Sequence, residues 1–223
     1  MFLLASALFL GFLHGLGADH LMAIAALSVD GDLGDGSAAA RRARALGVAA
    51  RFAAGHALLL GFGAGLIVLI GWSIPPHVER GGEMLGGALL IVMGLVTLQH
   101  LFAHRASRIA PPASRLAPRA SRLAPRTSHS HVPTMIGAAF AVSSLRALAM
   151  LTPFGAGLGT APLPVLLSLI GVFAVGILMS MSLFGVVLAG VLSSRALGRV
   201  GHGAGALVGV SSVVLGIAWV VTA

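Results

Sequence analysis

Cysteine and lysine are both absent from this chain of 223 residues. Without cysteine, the chain can form no disulfide and no thiolate metal site, and it cannot carry out thiol–disulfide exchange in a membrane. Without lysine, the formal net charge of +8 comes from arginine alone. Acidic residues are also few, and none follows Glu83.

Charged residues of either sign are scarce, and apolar residues are abundant. Only 9% of the residues are charged, whereas 57% are hydrophobic and the mean hydropathy is +1.01. Soluble globular chains carry about 25% charged residues. Several apolar runs reach the roughly 20 residues that a helix needs to cross a bilayer. The composition therefore predicts an all-α polytopic membrane protein, a bundle of helices in contact with the lipid bilayer.

The apolar runs predict six membrane-spanning helices. They cover residues 2–29, 46–72, 84–104, 133–153, 162–192 and 203–222. The first run would form a helix of about 42 Å, although the hydrocarbon core is only about 30 Å thick. Tilt, a break or a folded-back segment must absorb the excess length, and Gly15 and Gly17 are the obvious places for a break. No basic residue precedes the apolar run at Phe2, so we expect a retained helix rather than a cleaved signal peptide.

The arginines predict the orientation of the chain in the membrane. They concentrate in the loops after spans one, three and five, whereas the alternate loops contain only Arg80. Cytoplasmic loops carry the excess of basic residues, so these three loops are predicted to be cytoplasmic and both termini to lie outside. The predicted location is the cytoplasmic (inner) membrane. The same rule explains the basic charge more simply than nucleic-acid binding, and no nucleic-acid partner is expected.

A low-complexity segment separates the first three spans from the last three. Residues 106–126 nearly repeat the heptad Ala-Ser-Arg-Leu-Ala-Pro-Arg, and a proline in every repeat forbids a continuous helix. We therefore predict a first three-helix half over 1–104 and a second three-helix half over 133–223. Between them, residues 105–132 are predicted to form a disordered, Arg/Pro-rich cytoplasmic linker.

Faint internal similarity relates the two halves. Phe52-Ala-Ala-Gly55 in span two recurs as Phe173-Ala-Val-Gly176 in span five, and the spacing of Gly87 and Gly94 in span three recurs in span six. Because each half has three spans, the second half must cross the membrane in the opposite direction to the first. Two inverted halves around a site near the midplane are typical of transporters.

The segment His14-Gly-Leu-Gly-Ala-Asp19-His20 places two imidazoles and a carboxylate inside the first apolar run. Ionisable side chains are costly in hydrocarbon, so they indicate a functional site, and imidazole with carboxylate suits a divalent transition metal. On an unbroken helix, Asp19 and His20 would lie about 140° and about 120° from His14, on opposite sides. Either the helix opens and the three side chains converge, or they serve different partners and Asp19 orients a histidine.

The second span adds another histidine, His56, which follows Gly55 deep in an apolar run. If spans one and two pack together, His56 becomes the fourth ligand of the same site, because rare polar groups then cluster within two adjacent spans. The predicted metal ligands are His14, Asp19, His20 and His56.

Three further residues of the second half are candidates for a role at this site. Arg146 is a charged residue in span four, and it either snorkels to the interface or pairs with Asp19. Met179 and Met181 lie in span five, and methionine in a membrane helix is more often apolar filling than a soft metal ligand. We interpret both methionines as filling.

With these residues in view, the chain resembles the nickel/cobalt transporter family, in particular its shorter, urease-accessory-type membrane proteins. The resemblance rests on His-x4-Asp-His within Gly11-Phe-Leu-His-Gly-Leu-Gly-Ala-Asp-His-Leu, and on Gly55-His56, which is similar to the family's second histidine position. It implies that the His-x4-Asp-His residues recognise metal during uptake. Typical members have eight spans and further acidic motifs in their second half, which this chain lacks.

The residues and the resemblance together predict a secondary permease that takes up Ni²⁺, with Co²⁺ as the second candidate substrate. His14, His20 and His56 would supply nitrogen ligands, and Asp19 would supply an oxygen ligand or neutralise charge. The metal is the transported substrate, and no prosthetic group is expected. The sequence contains no Gly-x4-Gly-Lys-Ser/Thr pattern, so the chain does not energise transport as an ATPase, and we expect no enzymatic activity.

Two other functions stay open. The chain could be a non-transporting accessory protein that delivers metal to a maturing urease or hydrogenase, with a metallochaperone or maturation protein as its partner. The lack of acidic residues in the second half fits that function. Alternatively, the chain exports another substrate on the same fold. Exporters of the family tend to lack the aspartate of the motif, so the resemblance makes Asp19 favour uptake.

Overall fold

The computed structural model describes residues 2–29, 37–70, 75–109, 131–144, 162–193 and 197–222. Within these ranges the chain forms seven α-helices joined or flanked by short turns. They are α1 (Phe2–Gly15), α2 (Ala18–Val29), α3 (Ala38–Ile70), α4 (Pro76–Ile109), α5 (Val132–Ser143), α6 (Leu163–Ser193) and α7 (Leu197–Thr222). The prediction of an all-α chain is confirmed.

Four helices, α3, α4, α6 and α7, are long and apolar enough to cross a membrane. The bent pair α1–α2 is long and apolar enough when it is counted as one span. The described residues therefore contain four to five candidate spans, compared with the six that were predicted. The remaining predicted span, 133–153, is represented by α5. With 12 residues, α5 is about 18 Å long and shorter than the hydrocarbon core. The rest of that predicted span, 145–153, lies outside the described residues.

Two helices begin earlier than the apolar runs indicate. Helix α3 begins at Ala38 rather than at residue 46, because alanine and arginine favour the helix and the Oγ of Ser37 accepts the N–H of Ala40 at 3.2 Å. Helix α4 begins at Pro76 rather than at 84, with proline in the first turn, where it is tolerated. The basic residues before span two therefore lie on a helix and not in a loop.

Helix α4 also ends later than predicted, at Ile109 rather than at 104. Its last residues belong to the first repeat of the Arg/Pro-rich segment, and Pro111 and Pro112 follow after Ala110. Alanine, serine, arginine and isoleucine can continue a helix, whereas the prolines cannot. The predicted linker thus begins with helical residues, and positions 110–130 lie outside the described residues.

The helices pack in four extensive pairs: α1 with α6, α3 with α6, α3 with α5, and α4 with α7. The largest buried cluster joins α2, α3, α4, α5 and α6 at the centre of the bundle. Its largest fully buried members are Phe52, Phe140, Ile24, Leu90, Ile177 and Met181.

Glycines make two of these helix pairs unusually close. A Cβ on Gly11 of α1 would overlap the backbone carbonyl of Phe173 on α6, and a Cβ on Gly137 of α5 would overlap that of Phe52 on α3. The first residue of each Phe-Ala-x-Gly repeat therefore meets a glycine of a helix from the other half. Small residues permit such close approach in membrane helix packing.

The last residue of each Phe-Ala-x-Gly repeat makes the same kind of contact. A Cβ on Gly176 would overlap the carbonyl of Leu8, and a Cβ on Gly55 would overlap that of Thr134. Leu8 lies three residues before Gly11, and Thr134 lies three residues before Gly137, so the α1–α6 and α3–α5 contacts match position by position.

The glycines of α4 and α7 form a third close contact. Gly87 faces Gly216, and Gly94 faces Gly209. A Cβ added to any of these four glycines would lie close to the carbonyl oxygen of the facing glycine, at 2.6 to 2.8 Å for three of them and at 3.2 Å for the fourth. The matching spacings of Gly87 and Gly94 in α4 and of Gly209 and Gly216 in α7 thus place these glycines at the contacts between the two helices.

Candidate metal centre

The helix of the first apolar run is interrupted between α1 and α2, inside the histidine motif. Helix α1 ends at Gly15, where the N–H of Leu16 donates to the carbonyl of Leu13 at 3.2 Å and the N–H of Gly17 to that of His14 at 2.9 Å. Helix α2 starts at Ala18, and the two axes differ in direction by 52°. The predicted break of the first span is confirmed.

This break brings His14 and His20 together. Their ring centroids lie 5.0 Å apart, and the ring of His56, from the middle of α3, lies 5.6 Å from the ring of His14 and 4.5 Å from that of His20. One ring nitrogen from each residue lies within 4.8 Å of the other two. The three histidines therefore form a cluster that can hold a metal ion.

The cluster lies inside the bundle. His20 and His56 are 1% and 0% exposed, and His14 is half-buried. Tetrahedral ligands at about 2.1 Å from a metal stand roughly 3.4 Å from one another. The Nε2 atoms of His14 and His56 already stand 3.4 Å apart, and the widest pair of nitrogens would have to approach by up to about 1.4 Å around a bound ion.

His56 is oriented by α5. Its Nδ1 lies 3.2 Å from the carbonyl oxygen of Gly137, which can only accept, so Nδ1 carries the hydrogen and donates it. The Nε2 of His56 then holds a lone pair and lies 3.4 Å from Nε2 of His14. A histidine that donates its second N–H to a carbonyl is the usual arrangement of a metal ligand.

The Nε2 of His20 lies 3.2 Å from Oγ of Ser144 and 3.4 Å from Oδ2 of Asp19. Its Nδ1 is buried and has no hydrogen-bond partner among the described residues. The two nitrogens of this ring therefore have different surroundings: Nε2 lies beside a hydroxyl and a carboxylate oxygen, whereas Nδ1 lies on the side of the helix break.

Asp19 is buried, with 5% of its surface exposed, and it stands next to His20 rather than among the three clustered nitrogens. Its Oδ2 lies 3.4 Å from Nε2 of His20 and has no hydrogen-bond partner among the described residues. Its carboxylate also places negative charge beside the cluster, where it would favour a bound cation. Arg146, the candidate partner of Asp19, lies outside the described residues.

Three phenylalanines surround the imidazoles, and the sequence had not singled them out as part of the site. The ring of Phe173 stacks on His14 with centroids 5.8 Å apart, and that of Phe52 stacks on His56 at 6.2 Å. Phe140 meets His20 edge-on at 6.3 Å. They give the cluster an apolar wall, in which electrostatic interactions are stronger than in water.

Ser144 and the carbonyl of Gly137 were also missed. The serine pair inside predicted span four was the available signal, since hydroxyls in an apolar run often bond across helices. Met181 is fully buried in the apolar core, where it fills space, whereas Met179 is 52% exposed.

Comparison of the chain with protein-family models, with curated proteins and with solved structures found no match.

Proposed function

We propose that the chain is a secondary transporter of the cytoplasmic (inner) membrane that takes up Ni²⁺, with Co²⁺ as the second candidate. One observation carries this proposal: three imidazoles with ring nitrogens within 4.8 Å of one another, at a helix break inside an apolar bundle. Imidazole nitrogen suits nickel and cobalt among the divalent metals, and His14, His20 and His56 supply it. The resemblance of the His-x4-Asp-His motif to the nickel/cobalt transporters supports the choice of metal.

The location of the cluster favours transport over storage. Broken helices near the midplane are where many secondary transporters bind their ions, because the interrupted turn frees ligands on both sides of the break. Three imidazoles and a nearby carboxylate form a small ligand set without thiolates.

The close glycine contacts support two inverted halves of three spans each. Gly11 and Gly137 make equivalent contacts in the pairs α1–α6 and α3–α5. When the two halves are exchanged, each of these pairs therefore becomes the other, and the α4–α7 pair becomes itself. In this arrangement the bent pair α1–α2 is span one, and α5 begins span four. Alternating access then consists of rocking one half against the other around the cluster.

The driving force proposed here is the membrane potential. A charge gains about 2.3 kcal/mol on moving through 100 mV, so a divalent cation gains about 4.6 kcal/mol. With the cytoplasm negative, this term favours inward movement and needs no phosphate-binding motif. It adds a physical reason for uptake to the presence of Asp19.

Uptake of ⁶³Ni tests the proposal. Nickel-starved cells that express the chain should accumulate ⁶³Ni, and His20→Ala or His56→Ala should reduce the initial rate at least about tenfold, because each removes one of three nitrogen ligands. His77→Ala is the matched control, since His77 is exposed at the start of α4. Equal rates in parent and His20→Ala cells, at matched membrane expression, would contradict the transport site.

A second candidate is metal delivery without transport, to a maturing urease or hydrogenase. The observation that favours it is the absence of any acidic residue after Glu83, which leaves the second half with no carboxylate for ion passage. Purified protein that binds Ni²⁺ through the cluster but supports no ⁶³Ni uptake would favour this function over the permease.

A further inference from the structure

Two neighbouring serines, the last residue of α5 and the C-cap that follows it, lie beside the imidazole cluster. Ser143 and Ser144 are 3% and 5% exposed, and both hydroxyls donate to the carbonyl of Phe140, at 2.7 and 3.0 Å. Of the two, Ser144 also contacts an imidazole, because its Oγ lies 3.2 Å from Nε2 of His20. The pair therefore offers one hydroxyl that contacts the cluster and one, similarly buried, that bonds only to the backbone.

The direction of these hydrogen bonds determines where His20 carries its hydrogen. The hydroxyl proton of Ser144 goes to the carbonyl of Phe140, so the Ser144 oxygen accepts from His20. The carboxylate oxygen Oδ2 of Asp19, 3.4 Å from the same Nε2, is an acceptor as well. Two acceptors around Nε2 favour the tautomer with hydrogen on Nε2 and the lone pair on Nδ1.

The surroundings of Nδ1 agree with a lone pair there. This nitrogen is buried and has no hydrogen-bond partner in the part of the chain that the structure describes. The carbonyl of His14 receives the N–H of Gly17 at 2.9 Å and is a rival acceptor for this ring, which competes with the two acceptors around Nε2. A buried polar atom without a partner is costly, and a metal ion would satisfy it.

We propose that Ser144 is a positioning residue that selects Nδ1 as the metal-donor atom of His20, an inference that rests on the metal-binding function proposed above. Ser144 directly follows α5, in the second half, whereas the three clustered imidazoles belong to the first. The carbonyl of Gly137, also on α5, selects Nε2 of His56 in the same way. Helix α5 thus orients two of the three donors, and the complete site requires both halves.

Two measurements on the purified full chain test this assignment. One is the affinity for Ni²⁺, and the other is the NMR spectrum of protein labelled with ¹⁵N-histidine, which reports the tautomer of each ring. In the parent, the His20 ring should carry its hydrogen on Nε2. Ser144→Ala should weaken Ni²⁺ binding about 10- to 100-fold, as loss of a hydrogen bond that orients a ligand does. In this variant the His20 ring should populate both tautomers. Ser143→Ala is the control and should bind within about threefold of the parent, and Ser144→Thr should restore tight binding.

The outcomes separate this inference from the function on which it rests. A parent protein that binds no Ni²⁺ would overturn the proposed function itself. A parent that binds Ni²⁺ while Ser144→Ala matches Ser143→Ala would overturn the role of Ser144 alone. If Ser144→Ala fails to fold, the parent spectrum still decides, because a His20 ring with its hydrogen on Nδ1 contradicts the assignment.

Discussion

Gly17 shows at the scale of single residues why the motif has the composition it has. A Cβ on this glycine would lie 2.6 Å from Oδ1 of Asp19, 2.9 Å from Nδ1 of His20 and 3.1 Å from the carbonyl oxygen of His14. The space of one methyl group is therefore shared by three groups of the site. Any larger residue at this position would compete with the side chains that it helps to bring together.

We expect Gly17→Ala to weaken Ni²⁺ binding at least about tenfold, equivalent to about 1.4 kcal/mol, because the new methyl group pushes His20 and Asp19 from their positions. Calorimetric titration of the purified protein measures this change. Gly63→Ala on α3 is the control, since a Cβ there meets no described atom within 4 Å. Parent-like affinity in Gly17→Ala would show that the crowding around this residue is absent from the protein.

At the scale of helices, the histidine cluster depends on one break and one close crossing. The break after Gly15 turns α2 by 52° and returns His20 to His14. The α3–α5 crossing then places the carbonyl of Gly137 against His56 and brings Ser144 to His20. Neither helix pair alone would assemble the three rings with their donors oriented.

The glycine crossings predict a symmetric pattern of stability changes. Gly11→Ala and Gly137→Ala should each lower the free energy of unfolding by about 1–3 kcal/mol, because the new Cβ meets backbone, which cannot rotate away. The two losses should be similar, since both glycines face a phenylalanine carbonyl in the same geometry. The measurement is the unfolding of purified protein in detergent, followed by helical circular dichroism.

Gly171→Ala on α6 serves as the control for that series, because a Cβ at Gly171 has no described atom within 4 Å. It should leave stability unchanged within about 0.5 kcal/mol. If Gly11→Ala and Gly137→Ala were as stable as this control, the close helix contacts would not exist in the protein.

At the scale of the whole molecule, the two halves are alike in packing and different in chemistry. Phe140 lies three residues after Gly137, as His14 lies three residues after Gly11, and Ile177 follows Gly176 as His56 follows Gly55. Two of the three positions that carry imidazoles in the first half, those of His14 and His56, thus carry apolar side chains in the second. An inverted pair of halves with one set of ligands would form a single site at their interface.

The orientation of the molecule can be tested with single cysteines, since the chain has none of its own. Val78→Cys, at a residue 37% exposed near the start of α4, should react with a membrane-impermeant maleimide in intact spheroplasts. Ser121→Cys, in the arginine-rich segment, should react only after permeabilisation, because basic segments stay cytoplasmic. Labelling of both positions from the same side would contradict the crossing by α4, and the reverse pattern would contradict the orientation.

Much of the fold was predictable because it follows from local properties of the chain. Hydropathy and run length predicted the long helices α3, α4, α6 and α7, and the glycines in the first apolar run predicted its break. The helix ends were less accurate, since Ala38 and Pro76 begin helices ahead of their apolar runs. Helix propensity and capping extend a helix into polar sequence that hydropathy alone assigns to loops.

The sequence alone predicted long apolar helices of membrane-spanning length and the polar residues of the candidate site, because rare polar groups in an apolar chain stand out without any knowledge of contacts. How these residues meet became visible only in the folded chain. The hydrogen bonds that orient His56 and His20 join residues 81 and 124 positions apart, and the phenylalanine wall comes from three different helices. Such contacts arise from the packing of the two halves, in which a carbonyl or a hydroxyl becomes part of a site through its position and not through its residue type.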